Sequence, residues 1–170
     1  MELKVFVEGV GELLVEEGAK LKDVSKKAFG SNYKRYLGAK IRNEVFNLNK
    51  QVDNHMYIKF LDITDVDGYR IYTKTISAVF IMACKELFPE RVVRIEHFIG
   101  EGLYVEFEGD YSVTFKDIER IEEKMKEIVA KDYPITRKKV AKEEALELFK
   151  RYNYEDKIRL FNSLDREEID

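Results

Sequence analysis

Seven cations between Lys20 and Lys40 meet a single acid, Asp23: they are Lys20, Lys22, Lys26, Lys27, Lys34, Arg35 and Lys40, interleaved with Phe29, Tyr33 and Tyr36. Ammonium and guanidinium groups hold phosphates, and aromatic faces stack unpaired bases, so this mixture suits single-stranded or looped RNA. A solvated helix face is written in the same letters. Arg137-Lys138-Lys139 forms a second, smaller cluster on a strand-like run, where charge that keeps an exposed edge from pairing is an equal explanation. His97 follows Glu96 just before the Gly100 turn, and Tyr104 and Glu106 return on the next run. A carboxylate from Glu96 or Glu106 would orient the imidazole as a general base, which makes His97 the one weak catalytic candidate. The alternative is a surface histidine at a strand end.

Other chemistries are excluded by what is missing. Zinc sites take three or four Cys, His or carboxylate ligands at short spacing, whereas Cys84, His55 and His97 are scattered, so no metal site is expected. Gly9, Gly11, Gly100 and Gly102 are hairpin glycines, and no glycine-rich run ends in Gly-Lys-Ser/Thr. Cys84 falls beside the apolar face of a helical pattern, which predicts a buried, inert thiol.

The elements that would carry these residues are legible in the periodicity. Val5 and Val7 alternate with Lys4, Phe6 and Glu8, Gly9 and Gly11 turn the chain, and Glu12-Leu13-Leu14-Val15 returns, which predicts a hairpin. Leu21, Val24 and Ala28 predict a helix that stops at Gly30. Short strands follow at 39–42 and 45–46 around Asn43-Glu44, then a stronger strand at 55–61. Hairpin, helix, short strands and final strand is the order of a ubiquitin-like β-grasp, placed at residues 1–62. The turn-rich stretch 65–68 reads as the joint to a second domain at 68–170. There, Ile76, Val79, Phe80, Ala83 and Leu87 predict a long helix that ends before Pro89. Runs 91–98 and 102–107 predict a strand pair, and Thr114 with Asp117 predicts the capped start of a helix burying Ile118, Ile121, Met125, Ile128 and Val129. A strand at 135–140 and a helix with Ala145, Leu148 and Phe149 on one face come next. The tail carries Ile158, Phe161 and Leu164 at amphipathic spacing, then frays from Asp165 onwards.

Composition limits the partners. The net charge of −3 over 170 residues argues against binding nucleic acid by bulk charge, yet residues 1–62 hold 11 Lys and Arg against 9 Asp and Glu while the remainder holds 19 against 24. A single cysteine fits a reducing, cytoplasmic compartment, and no apolar run approaches the roughly 18 residues of a membrane span. Charged residues at 37% and the absence of Trp lean towards a thermophile-like surface of ion pairs. The expectation is an α+β protein in two parts with no complete catalytic site of its own.

Ala83-Cys84-Lys85-Glu86-Leu87-Phe88-Pro89, Ile99-Gly100-Glu101-Gly102-Leu103-Tyr104 and Tyr133-Pro134-Ile135-Thr136-Arg137-Lys138-Lys139-Val140, with the capped helix between them, carry a resemblance. The chain resembles the N-terminal region of threonyl-tRNA synthetase, a TGS domain followed by an editing-type domain. In that family the editing site uses two histidines four residues apart at the start of the long helix. The matching positions here are Lys74 and Ala78. The family's Cys-x-x-x-His element would fall beyond Asp170. What the resemblance carries over is a ligand cleft bordered by Tyr104 and Lys138, with Lys74, His97 and Glu106 beside it. Asp67-Gly68-Tyr69-Arg70-Ile71-Tyr72 and Ile95-Glu96-His97-Phe98-Ile99 further resemble the version of this region fused ahead of a P-loop kinase in bacterial uridine kinase-like proteins. These likenesses imply a non-catalytic, regulatory module that binds RNA (a tRNA) or a nucleotide through Lys22, Lys26, Lys27, Tyr33, Lys34 and Arg35. A downstream kinase domain would be its partner, and ATP and Mg enter only with that domain; the segment itself needs no cofactor and touches no membrane. A free-standing deacylase for mischarged aminoacyl-tRNA and a pure protein-interaction module are the competing classes.

Overall fold

The computed structural model describes residues 2–100, 102–136, 138–152, 154–164 and 168–169. Glu101, Arg137 and the start of the tail, where fraying is expected, lie outside the described residues. Chain contacts divide the protein into two compact units, Met1–Ala130 and Lys131–Asp170.

The first unit opens with a five-stranded mixed sheet in the order β2-β1-β5-β3-β4. Strand β1 (Glu2–Val7) pairs antiparallel with β2 (Gly11–Glu16) through the glycine turn, and parallel with β5 (Tyr57–Leu61). Strand β3 (Gly38–Ile41) lies antiparallel to both β4 (Glu44–Phe46) and β5. Alternation sorts the faces: Val5, Val7, Val15, Ile58 and Phe60 point inward and are buried, while Lys4, Phe6 and Leu14 point out. Helix α1 (Leu21–Phe29) closes the inner face with Leu21 and Val24, both fully buried. The Asp23 carboxylate accepts the Lys20 amide at 3.1 Å at its start. A 3₁₀ turn (Gly30–Arg35) follows, and Phe29, Tyr36 and Phe60 form an aromatic corner with centroids 4.2–5.6 Å apart.

Two details differ from expectation. The β3–β4 turn is Arg42-Asn43, both at positive φ (49° and 69°), because a two-residue hairpin loop of this hand needs left-handed backbone at both positions. Strand β5 starts at Tyr57; His55 also has positive φ and spends its amide on the Lys4 carbonyl, 2.6 Å away.

The stretch 65–68 is no loose joint. The turn closes at Asp62 to Asp65, and helix α2 (Val66–Leu87) begins at once, with Gly68 in its first turn. Gly68 is there for proximity: a Cβ on it would lie 1.8 Å from the Asp62 carbonyl oxygen. Asp62 Oδ1 accepts the Thr64 amide (2.8 Å) and hydroxyl (2.6 Å), Oδ2 pairs with the Arg35 guanidinium, and the Asp62 amide donates to Asp65 Oδ2 at 3.2 Å. The first turns of α2 then lie over the outer face of the sheet. There Lys40 pairs with Asp67 (2.8 Å), Lys59 with Asp65 (3.1 Å), and Gly38 leaves room for Ile71, whose Cδ1 would be 2.8 Å from any Cβ there.

At 22 residues α2 is about 33 Å long, and its far end builds a second core. Ala83 and Cys84 pack with Ile121 and Ile128 of α3 (Phe115–Ala130) and with Phe88, Val93 and Phe107; the last two belong to hairpin β6 (Val93–Ile99) and β7 (Gly102–Phe107). The Thr114–Asp117 cap forms as expected: Asp117 Oδ2 accepts the Thr114 amide at 3.0 Å, and Thr114 Oγ1 accepts the Asp117 amide at 3.3 Å. Ile118 and Val129, expected inside, are more than half exposed, because the core lies under the narrower stripe Ile121, Met125 and Ile128.

The second unit contains α4 (Lys142–Arg151) and α5 (Glu155–Asn162), joined by Phe149 against Phe161 at 5.1 Å, with Ala145 buried. Of the strand expected at 135–140, the described residues show β8 (Val140–Ala141), paired antiparallel with β9 (Glu168–Ile169). Ile135 is 72% exposed.

Gly68→Ala should cost about 1–3 kcal/mol in urea denaturation, because the added methyl overlaps backbone that cannot move without shifting α2. Asp62 gives a second expectation. Hydrogen bonds from Thr64, and then Arg35, hold its carboxyl below the ordinary value of 3.8. A lowered carboxylate adds stability that is complete above that value and is lost as pH falls through the folded one. Wild-type urea midpoints should therefore drop more steeply below about pH 4 than those of Asp62→Asn, which should start lower at pH 7.

Candidate functional site

The basic stretch separates into two roles. Lys27 Nζ donates to the Leu14 carbonyl at 2.6 Å, Arg35 holds Asp62 and Lys40 holds Asp67, so these three cations tie elements together. Lys22, Lys26 and Lys34 are exposed and pair with no carboxylate among the described residues. Lys22 and Lys26 stand one helical turn apart on α1. The ammonium of Lys26 sits 5.5 Å from the centre of the half-buried Tyr33 ring, which the 3₁₀ turn carries beside it. Three exposed cations thus lie on α1 and the 3₁₀ turn, one of them over the Tyr33 ring, a residue set suited to phosphate contacts with a base beside them. On one flank a shallow depression lined by Glu16, Glu17, Asp23 and Lys27 bounds the strip with carboxylates.

The second candidate region lies on the β6–β7 hairpin. Its register shifts between Ile95 and Phe98: Ile95 faces Val105 and Phe98 faces Leu103, so Glu96 and His97 together oppose Tyr104. Such a bulge re-aims side chains, and here it brings the His97 and Tyr104 rings to 5.3 Å. Both are exposed, and among the described residues neither Glu96 nor Glu106 hydrogen-bonds to the imidazole. Orientation comes from an aromatic ring rather than from the expected carboxylate; Glu106 instead lies opposite Arg94 in the ladder.

The remaining expected cleft residues, Lys74 and Lys138, sit on other elements. Lys74 is exposed in the third turn of α2 rather than at its start, and Ala78 follows one turn on, also exposed. Neither side chain can serve as an imidazole would. Lys138 belongs to the second unit, where its Nζ pairs with Glu144 at 2.8 Å. Among the described residues, no cluster of three His, Cys, Asp or Glu side chains could hold a metal ion, and no helix is long and apolar enough to cross a membrane. The Asp62 network and the bulge escaped the sequence reading, because both depend on partners distant in the chain or on register.

Comparison with known proteins returns threonine–tRNA ligases. That of Natranaerobius thermophilus is 31% identical over 148 residues, 87% of this chain and 23% of the ligase. That of Syntrophomonas wolfei is 31% identical over 164 residues, 96% of this chain and 24% of the ligase. That of Clostridium kluyveri is 29% identical over 167 residues, 98% of this chain and 26% of the ligase. The chain thus spans about a quarter of the length of the curated relatives it matches. No protein-family model matches it. Over most of its length the chain is homologous to the N-terminal region of threonyl-tRNA synthetase.

Cys84 fits no reactive role. It is fully buried, and burial pushes its thiol up to about 11. The native protein at pH 8 should leave a disulfide reagent unconsumed over minutes, and one thiol should react after urea unfolding. Rapid reaction of the native form would contradict this packing.

Proposed function

We propose that this chain is a non-catalytic tRNA-binding module of the kind that opens threonyl-tRNA synthetases, contacting RNA through the exposed face of α1 and the 3₁₀ turn. The observation that carries the reading is the strip Lys22, Lys26, Tyr33 and Lys34, whose lysines pair with no carboxylate among the described residues, in a chain homologous to part of an enzyme that acts on tRNA. The sheet order β2-β1-β5-β3-β4, with its parallel β1–β5 pair and one helix across the inner face, supports a TGS-type β-grasp for residues 1–62. Helix α2, the β6–β7 hairpin and α3 support an editing-like domain after it.

Catalysis is not assigned to the chain, because Lys74 and Ala78 stand where the resemblance expects two histidines. The His97–Tyr104 pair then offers a place for a small ligand or an aminoacyl end without supplying hydrolysis. For the parent protein, ligase relatives weigh towards a synthetase-like context, and the kinase leader rests on motif resemblance alone. ATP and Mg would belong to that kinase and not to this segment. An unpaired cysteine and relatives of this class support a cytoplasmic setting.

Binding of unfractionated tRNA over a salt series tests the reading. Reversing Lys22, Lys26 and Lys34 to Glu should weaken affinity at least about tenfold and flatten the salt dependence by about one contact per lysine. Equal affinity and slope in the variant would remove it. Turnover of a mischarged aminoacyl-tRNA by the chain, lost in His97→Ala, would replace it with the deacylase reading.

A further inference from the structure

Helix α2 covers only part of the sheet's outer face. Its first turns occupy the β3 side, where Gly38 admits Ile71 and Lys40 meets Asp67. The half formed by β2, β1 and the start of β5 stays open. On it Phe6, Leu14 and Tyr57 are 41%, 46% and 52% exposed, and the Phe6 and Tyr57 rings stack at 5.0 Å and 18°. A stacked aromatic pair held in solvent costs burial that the fold would otherwise gain.

The rim fixes what can cover it. Glu8 accepts the Tyr57 hydroxyl at 3.2 Å, and Glu12 lies opposite Phe6 in the ladder. Glu2 and Glu16 face each other across the same pair of strands. The two cations on this half are already engaged, Lys4 by Glu12 at 3.0 Å and Lys59 by Asp65 at 3.1 Å. Phosphates and anionic lipid headgroups would meet Glu2, Glu8 and Glu16, which form no ion pair among the described residues, and a second copy presenting the same face would set like charge on like. A guanidinium satisfies both halves of the surface, since it stacks on ring faces and forks onto carboxylates.

We propose that the open half of this sheet docks an arginine-bearing protein surface, with Phe6, Leu14 and Tyr57 as its apolar floor and Glu8 and Glu16 as its ionic rim. This face lies on the side of the sheet opposite α1, so it operates whether or not the α1 strip binds RNA. One chain would then present tRNA contacts on one side and a protein contact on the other.

The probe is an octapeptide alternating arginine and leucine, with its glutamate–leucine analogue as control, titrated into the full chain and followed by amide NMR. The arginine peptide should shift Phe6, Leu14 and Tyr57 together. Phe6→Ser should weaken it at least tenfold, Glu8→Gln should weaken it severalfold, and Lys126→Ala should leave it unchanged. The amide spectrum of each variant also reports whether it folds, and Glu8→Gln provides a variant that removes only charge. Shifts scattered over the surface, or equal affinity in Phe6→Ser, would overturn the proposal. So would a Phe6-dependent dimer of the chain alone in sedimentation, or shifts of these residues by tRNA.

Discussion

Asp62 sits where β5 gives way to α2, only 7% exposed, and it ties the end of the 3₁₀ turn, the end of the sheet and the start of α2 to one another. A carboxylate taken from water must be repaid in hydrogen bonds, and Thr64 and Arg35 supply them from opposite directions. Thr64 makes the turn, and Arg35 brings in the end of the 3₁₀ segment that carries Tyr33 and Lys34. The carbonyl of the same residue abuts Gly68, so α2 leaves the sheet at a single angle. One acid therefore connects the sheet, the basic strip and the long helix.

From that anchor α2 acts as a beam between two cores that, among the described residues, share no buried side chain. The first, under α1, is aliphatic with an aromatic corner; the second, around Cys84, is closed by α3 and the hairpin. The ion pairs Lys40–Asp67 and Lys59–Asp65 are partly exposed, and pairs of that kind add little stability on their own. Their value here is angular: with Gly38 and Gly68 they decide which half of the sheet α2 covers and which half it leaves open.

Local signals were readable where the chain answers to its neighbours in sequence. The Thr114–Asp117 cap, the stop at Gly30 and the end of α2 before Pro89 all involve groups within a few residues. Misreadings came where a distant partner decides. Gly68 looks like a turn residue until the Asp62 carbonyl is placed against it. Ile118 and Val129 fit a helical stripe wider than the core they meet. The cation cluster was visible as composition. Which lysines are free depended on Leu14, Asp62 and Asp67, none of which the local sequence connects to them.

A single stretch of chain carries cations that hold the fold together, Lys27, Arg35 and Lys40, beside three, Lys22, Lys26 and Lys34, that pair with no carboxylate among the described residues. Lysine acetylation of the full chain with and without bound tRNA, read by mass spectrometry, distinguishes the two sets directly. Shielding confined to Lys22, Lys26 and Lys34, with Lys126 modified at the same rate throughout, is the result expected, since Lys126 pairs with Glu122 on α3 far along the chain. Unchanged modification of those three lysines while tRNA is bound, or shielding found only at Lys138 and Lys142, would contradict it.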